Sequence, residues 1–411
     1  RTMPRLRTLL AATLATSALI LSGCGTPNSQ KVREDANERV MFVKAQLHFD
    51  QANQAFSTGQ LEKALREVEP AIAMHDKHAP YYVLLGRVYL ETHRLEMAMK
   101  SFETAQSISP ELPDAHYFAG IVNQRWSRYD EAADCYLRAY ELKQENPQYL
   151  LAAAEAFITI KRYDEAERLV SAKLSYFEHN AAMRQLLAQL ALLQGDANRA
   201  AALFREARTL NPEDILLFEE LARAEFSAGQ FAQCLHSVRQ IMSRLGEKRP
   251  DLLHLEARCL TMMDQTTEAR NVYLELTRVT PTNADVWIEL GNLAYAIGDF
   301  TRVAQAGVQA IAIAPERFEG YLLKGLFERH RGRTDDALVL LKQAATLAPN
   351  SAMPHLVLGA ALAQSGDLDG AIAAYGRAVR IDPANSRAQA MLEQATRQAT
   401  VIASEPVDGS R

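Results

Sequence analysis

The sequence predicts an all-α chain: an α-solenoid of about ten helix-turn-helix repeats closed by one capping helix. Three observations predict it: a 34-residue period, two columns of small residues within that period, and apolar residues at helical spacing between them. In rows of 34 from Ala45, six rows align. Four more align from Pro250, after one extra residue, Arg249. The eighth position of the rows holds Ala52, Gly86, Gly120, Ala154, Ala188, Ala222, Ala257, Gly291, Gly325 and Gly359, every one Gly or Ala. The twentieth holds Ala64, Ala98, Ala132, Ala166, Ala200, Cys234, Ala269, Val303, Ala337 and Ala371.

Each row divides into two helices of about four turns, with apolar residues at offsets 4, 7, 8 and 11 of the first and 17, 20, 24 and 27 of the second. Small residues are expected where the two helix axes come closest, so Gly86, Gly120, Gly291, Gly325 and Gly359 are assigned to helix packing. Gly59, Gly195, Gly229, Gly298, Gly332 and Gly366 mark the turn inside their rows, and Pro110, Pro212, Pro281, Pro315, Pro349 and Pro383 stop the second helix. The second row carries Tyr82, Leu85, Gly86, Tyr89, Ala98, Phe102, Ala105 and Pro110. On these residues the chain resembles the tetratricopeptide repeat family. The resemblance implies a right-handed superhelix in which each hairpin leans on the next, with a concave groove lined by the first helix of each pair.

The departures from the pattern are as informative as the matches. In row four, Lys173 takes an Ala position and Glu178 the Pro position, which predicts a looser joint. In row six, Cys234, Ile241 and Gly246 replace Ala, Ala and Pro, and Arg249 follows. Residues 243–250 are therefore read either as a hinge between two stacks or as a longer loop without consequence.

Before the first row, Arg1, Arg5 and Arg7 precede an apolar stretch from Leu9 to Leu21 that is too short to span a bilayer, the pattern of an export leader. Leu21, Ser22 and Gly23 before Cys24 resemble the lipobox of bacterial lipoproteins. That resemblance implies a lipidated Cys24, attachment to the membrane through acyl chains, and, with Gly25 following, the periplasmic face of the outer membrane if the cell is Gram-negative. Residues 25–30 read as a polar tether of about 20 Å at most. The expected organisation is a leader over residues 1–23, lipidated cysteine, tether and helix extension over 24–44, repeats one to six over 45–248, repeats seven to ten over 249–385, a capping helix over 386–403 and a flexible tail over 404–411.

The formal net charge of −5, or −8 without the three leader arginines, argues against a nucleic-acid partner. No His-Glu-x-x-His, Gly-x-Ser-x-Gly or phosphate-loop motif occurs, and the repeats leave no room for a catalytic domain. No catalytic residue, metal or cofactor is expected. His75 and His78 could supply two metal ligands but lack a third, and read instead as a solvated turn. Cys234 and Cys259 fall on adjacent helices, either as a disulfide or as small core residues.

The family resemblance places offsets 2, 5, 9, 12 and 13 of each first helix in the groove. For a protein partner, an extended peptide or a helix, this selects Arg87, Tyr117 and Arg125 early, Arg223, His254 and Arg258 in the middle, and Ile288, Asn292, Leu322, Leu326 and Leu356 late. Arg87 with Arg125, and Arg223 with Arg258, are expected to grip carboxylates. Ile288, Leu322, Leu326 and Leu356 are expected to form an exposed apolar strip. The Lys, Asn and Arg clamp of chaperone-cofactor members of the family is not reproduced in consecutive rows. The functional expectation is a membrane-anchored scaffold for assembly in the cell envelope, similar in architecture to the pilotins of type IV pili, the Tad-type pilus assembly lipoproteins and the lipoproteins that tether peptidoglycan hydrolases. The alternatives are an adaptor presenting substrates to an envelope protease or hydrolase and, more remotely, an enzyme.

Overall fold

The structure is a computed structural model and describes residues 27–404. The expected leader, the lipobox residues Leu21, Ser22, Gly23 and Cys24, and all of the tail but Ser404 lie outside the described residues. Contacts divide the chain into two compact units between Leu190 and Ala191. The first holds α1 (Pro27–Ser57), α2 (Leu61–Met74), α3 (Ala79–Glu91), α4 (Leu95–Ile108), α5 (Pro113–Arg125), α6 (Tyr129–Leu142), α7 (Pro147–Thr159) and α8 (Tyr163–Ser171). α9 (Ala181–Leu193) contains the division. The second unit continues with α10 (Ala197–Leu210), α11 (Ile215–Ser227), α12 (Phe231–Leu245), α13 (Pro250–Met262), α14 (Thr266–Val279), α15 (Ala284–Ala296), α16 (Phe300–Ile313), α17 (Phe318–His330), α18 (Thr334–Leu347), α19 (Ala352–Ser365), α20 (Leu368–Ile381) and α21 (Ser386–Ser404). All elements among the described residues are helices. They form an α-solenoid of ten hairpins with a closing helix.

From α3 onward every first helix begins at the first position of its 34-residue row. Local chemistry explains the precision. Pro113, Pro147 and Pro250 stand at or beside the first helical position, where a missing N–H costs nothing. The side chains of Asn146, Asp214 and Asn283 accept hydrogen bonds from the first-turn N–H groups. Inside the rows, Asp196, Asp299 and Asp367 cap the second helices in the same way. The turn between the two helices needs a left-handed residue at offset 15. Six rows place Gly there, and His93, Ser127, Lys161 and Asp264 take positive φ in the other four.

The twentieth-position column has no accessible surface in any of the ten rows. At the eighth position the close neighbour is a side chain of the second helix. A Cβ on Gly120 would lie 2.6 Å from Tyr136, on Gly359 2.6 Å from Tyr375, and on Gly325 2.7 Å from Leu341, while one on Gly86 would overlap Phe102. Row eight is built differently, because Gly307 stands where the other rows carry that knob. Leu323 from α17 reaches Gly291 instead, and a Cβ on Gly307 would meet the Lys324 backbone nitrogen at 2.9 Å. Gly320 faces the Ile311 backbone nitrogen at the same distance, so α16 and α17 touch backbone to backbone.

Three boundaries differ from the sequence reading. α1 begins at Pro27, so residues 27–30 are helical and not tether; a proline after polar residues starts a helix as readily as it ends one. α8 has nine residues where α6 has fourteen, in the row where Lys173 and Glu178 break the pattern. Residues 243–250 lie inside the second unit: α12 takes one more residue than its counterparts, ends on left-handed Gly246, and Arg249 becomes the cap residue of α13. α21 closes the second unit with Ala388, Met391, Leu392 and Ala395 against Tyr375 and Ala378 of α20, leaving Arg387, Glu393 and Arg397 outward.

Candidate protein-binding surface

Within the second unit, α11 and α13 form the walls of an open cleft of about 310 Å³. Glu219, Arg223, Phe226 and Ser227 recur at helical spacing on α11, and Asp251, His254, Leu255 and Arg258 do so on α13, so each helix turns one face to the cleft. The Glu219 carboxylate is buried. Arg249 neutralises it by donating from Nη1 to Oε1 at 2.6 Å and from Nη2 to Oε2 at 3.2 Å. The same guanidinium donates to both Asp251 oxygens, at 3.1 and 2.7 Å, and these hydrogen bonds hold the Asp251 carboxyl below the usual carboxylate range. One arginine thus satisfies both acids of the cleft.

The two remaining cations are left over. Arg223 comes no nearer than 3.8 Å to Glu219 and 4.0 Å to Asp251, beyond hydrogen-bond length. Arg258 lies 4.5 Å over the Phe226 ring, with its Nε 3.9 Å from Glu289. Glu289 on α15 is already engaged: it hydrogen bonds to His254 and accepts from the Tyr273 hydroxyl at 3.0 Å. Both guanidinia are exposed on the cleft rim. The arrangement can receive a carboxylate between two cations, with an aromatic floor beneath.

The expected pairs differ in outcome. Arg223 and Arg258 are brought together at one cleft. Arg87, in the first unit, is held between the rings of Phe56 at 4.5 Å and Phe118 at 5.0 Å, and Arg125 meets His93 Nδ1 at 3.4 Å, so Arg87 is not presented as a free cation. Tyr117 packs against Tyr136 and Tyr149, with ring centroids 5.5 and 5.0 Å apart, while the Tyr149 hydroxyl donates to Asp114 at 2.7 Å. Glu155, on the same side, has its carboxyl held above the usual range by desolvation.

The apolar strip is a correction. Ile288, Leu326 and Leu356 are only 6, 9 and 9% exposed, and Leu322 is half-buried. Ile288, Leu326 and Leu356 therefore belong to the core between neighbouring helices and present no exposed strip. Asn292 is exposed. The residues that make the cleft but escaped the sequence reading are Arg249, Phe226 and Glu289. Phe226 stands at a groove offset and could have been found, whereas Arg249 belongs to no row.

His75 and His78 flank an exposed turn and are half-buried, with their rings packed against Phe42, Phe49 and Tyr81. No group of three metal-ligating side chains occurs among the described residues. Cys135, Cys234 and Cys259 are free thiols. A hydrogen bond with Cys259, and burial, hold the Cys234 thiol far above its usual range.

The fold and the cleft define a class, a repeat protein of stacked helical hairpins with a polar cleft between two first helices. Tetratricopeptide repeat family models match residues 79–112, 125–174 with 162–215, and 329–395, and the chain belongs to the tetratricopeptide repeat family, a scaffold family that is generally non-catalytic. It is 22% identical over 233 residues to tetratricopeptide repeat protein 8 of Caenorhabditis elegans, covering 53% of this chain and 46% of that protein. It is 26% identical over 293 residues to a TPR repeat-containing protein of Treponema pallidum, covering 66% of this chain and 33% of that one. The chain thus spans less than half the length of these curated relatives. Among solved structures, a tetratricopeptide repeat protein from Parabacteroides merdae aligns with a TM-score of 0.43 and 15% identity, over 57% of this chain and 93% of that one, a likeness of fold alone.

Proposed function

We propose that this protein is a membrane-anchored scaffold of the bacterial cell envelope, lipidated at Cys24, that helps assemble a multiprotein complex by docking acidic segments of partner proteins in the α11–α13 cleft. The protein-binding part follows from the family. The observation that carries the acidic preference is the pair Arg223 and Arg258, which among the described residues donate no hydrogen bond although they share one cleft with Phe226. A buried ion pair across an interface would use them fully, and such charge-assisted contacts are stronger than neutral ones. The export leader and lipobox support the location.

The test is cross-linking in intact cells followed by identification of what is captured by the parent chain and by the Arg223→Glu/Arg258→Glu variant. The expected result is loss of one set of envelope proteins, and for a synthetic peptide from their acidic segments a fall in affinity of about tenfold or more. An unchanged capture profile sinks the cleft assignment. Recovery of a protease or hydrolase with its substrates would support the adaptor reading instead. Metabolic labelling with palmitate, abolished in Cys24→Ala, tests the anchor.

A further inference from the structure

α1 has 31 residues, whereas the first helices of later rows have 13 or 14. Its part before Ala45 stands ahead of the first row, and the side chains of residues 31–44 are all exposed. One side of α1 is ordinary core: Ala45, Phe49 and Ala52 pack beneath α2 and α3, and Phe42 meets the rings of His75 and His78. The opposite side is also apolar. Val32, Ala36, Val40, Val43 and Leu47 follow one another at steps of four, four, three and four residues, which places them on a single stripe about four turns long. Val32, Val40, Val43 and Leu47 are 61, 52, 66 and 59% exposed.

Cations stand on both edges of that stripe. Arg33, Arg39 and Lys44 are each the chain neighbour of a stripe residue and flank it on both sides, about a third of a turn away at most from the nearest apolar position. Glu34 and Glu38 project away from the stripe, while Asp35 stands beside Arg39, and Asp35, Glu38, Arg39, Phe42, Val43 and His75 line one surface along that edge. An apolar stripe edged on both sides with cations is complementary to an anionic lipid surface: the aliphatic stems of Arg and Lys reach past the stripe to the headgroups.

We propose that the first half of α1 lies flat on an anionic lipid surface, with Val32, Ala36, Val40, Val43 and Leu47 in the acyl boundary and Arg33, Arg39 and Lys44 at the headgroups. This rests on the membrane-attached reading, and it adds a second contact that fixes how the repeats stand on the bilayer. α1 begins three residues after Cys24, a reach of about 10 Å, so an anchored chain delivers this face directly to the surface. One lipid attachment allows a protein to swivel. A helix lying along the surface beside it does not.

The test uses residues 25–411, which keep every described helix and carry neither leader nor acyl group, in flotation with vesicles. With phosphatidylglycerol–phosphatidylethanolamine vesicles at low salt the chain should float. Binding should fall about tenfold in Val40→Asp/Val43→Asp, in Arg33→Glu/Arg39→Glu/Lys44→Glu, and with phosphatidylcholine alone. Both variants change exposed side chains, and unchanged helical circular dichroism verifies their fold. If the parent chain stays at the bottom of the gradient, or Val40→Asp/Val43→Asp floats as well as the parent, the inference is overturned. It is equally overturned if the chain instead forms a dimer that Val40→Asp/Val43→Asp breaks. Failure of the anchor is read separately, as absence of palmitate label on the full chain in cells, and leaves the flotation result standing.

Discussion

Gly325 shows how little room a single position has. Its missing side chain is filled by Leu341, 2.7 Å from where a Cβ would stand. Gly325→Leu should therefore force α17 from α18 and cost about 1–3 kcal/mol by overpacking, read as a lower denaturation midpoint of the second unit. An unchanged midpoint would mean that the helix pair does not close on this residue. Such contacts were legible in part. The eighth-position column is visible in the sequence, and the partner that fills it in most rows, an aromatic or Leu sixteen residues on, could be read from the same rows. Gly307 and Gly320 could not. They stand at offsets where other rows carry larger residues, and nothing in a single sequence says that two backbones meet there.

At the scale of an element, the turn at offset 15 is the clearest case of one geometry imposed on different residues. Lys161 holds φ at 62°, a conformation that strains an L side chain by about 1–2 kcal/mol. Lys161→Gly would relieve this against a loss of about 0.5–1 kcal/mol to the freer unfolded chain, for a net gain of about 0.5–1 kcal/mol. A urea titration should show a higher midpoint, and a lower one would count against the strain. Six glycines marked this turn from the sequence, and the period placed the other four by analogy. Element ends were less readable where chemistry is ambiguous. Pro27 was taken with a polar stretch as tether, yet it opens a helix of 31 residues. The short α8 was foreshadowed by Lys173 and Glu178, because a long charged side chain and a missing proline remove the packing and the stop signal together.

Across the whole molecule, two histidines make both units sensitive to acid. His78 in the first unit and His355 in the second have pKa values lowered from 6.5 by burial, with His75 adding to the first and Arg377 to the second. The folded chain then binds fewer protons than the unfolded chain, and their contribution is present above about pH 6.5 and lost as pH falls through the lowered folded values. The thermal midpoint should decline between about pH 7 and about pH 5, and His78→Gln/His355→Gln should flatten that decline. A carboxylic acid at its reference value titrates below this window. The candidate site was half legible at this scale. Arg223 and Arg258 followed from the repeat, but their freedom depends on Arg249 satisfying Asp251 two residues away and Glu219 across 30 residues, a tertiary pairing that no periodicity encodes. The late apolar residues failed for the converse reason, since hydrophobicity at a groove offset does not say how far neighbouring helices close. Arg249 has a larger consequence. Ten near-identical steps offer a ligand ten near-equivalent berths, and strict regularity would give it no preferred address. The single supernumerary residue breaks that degeneracy, so in the proposed docking the interruption in the pattern is also the landmark by which one berth is told from the rest.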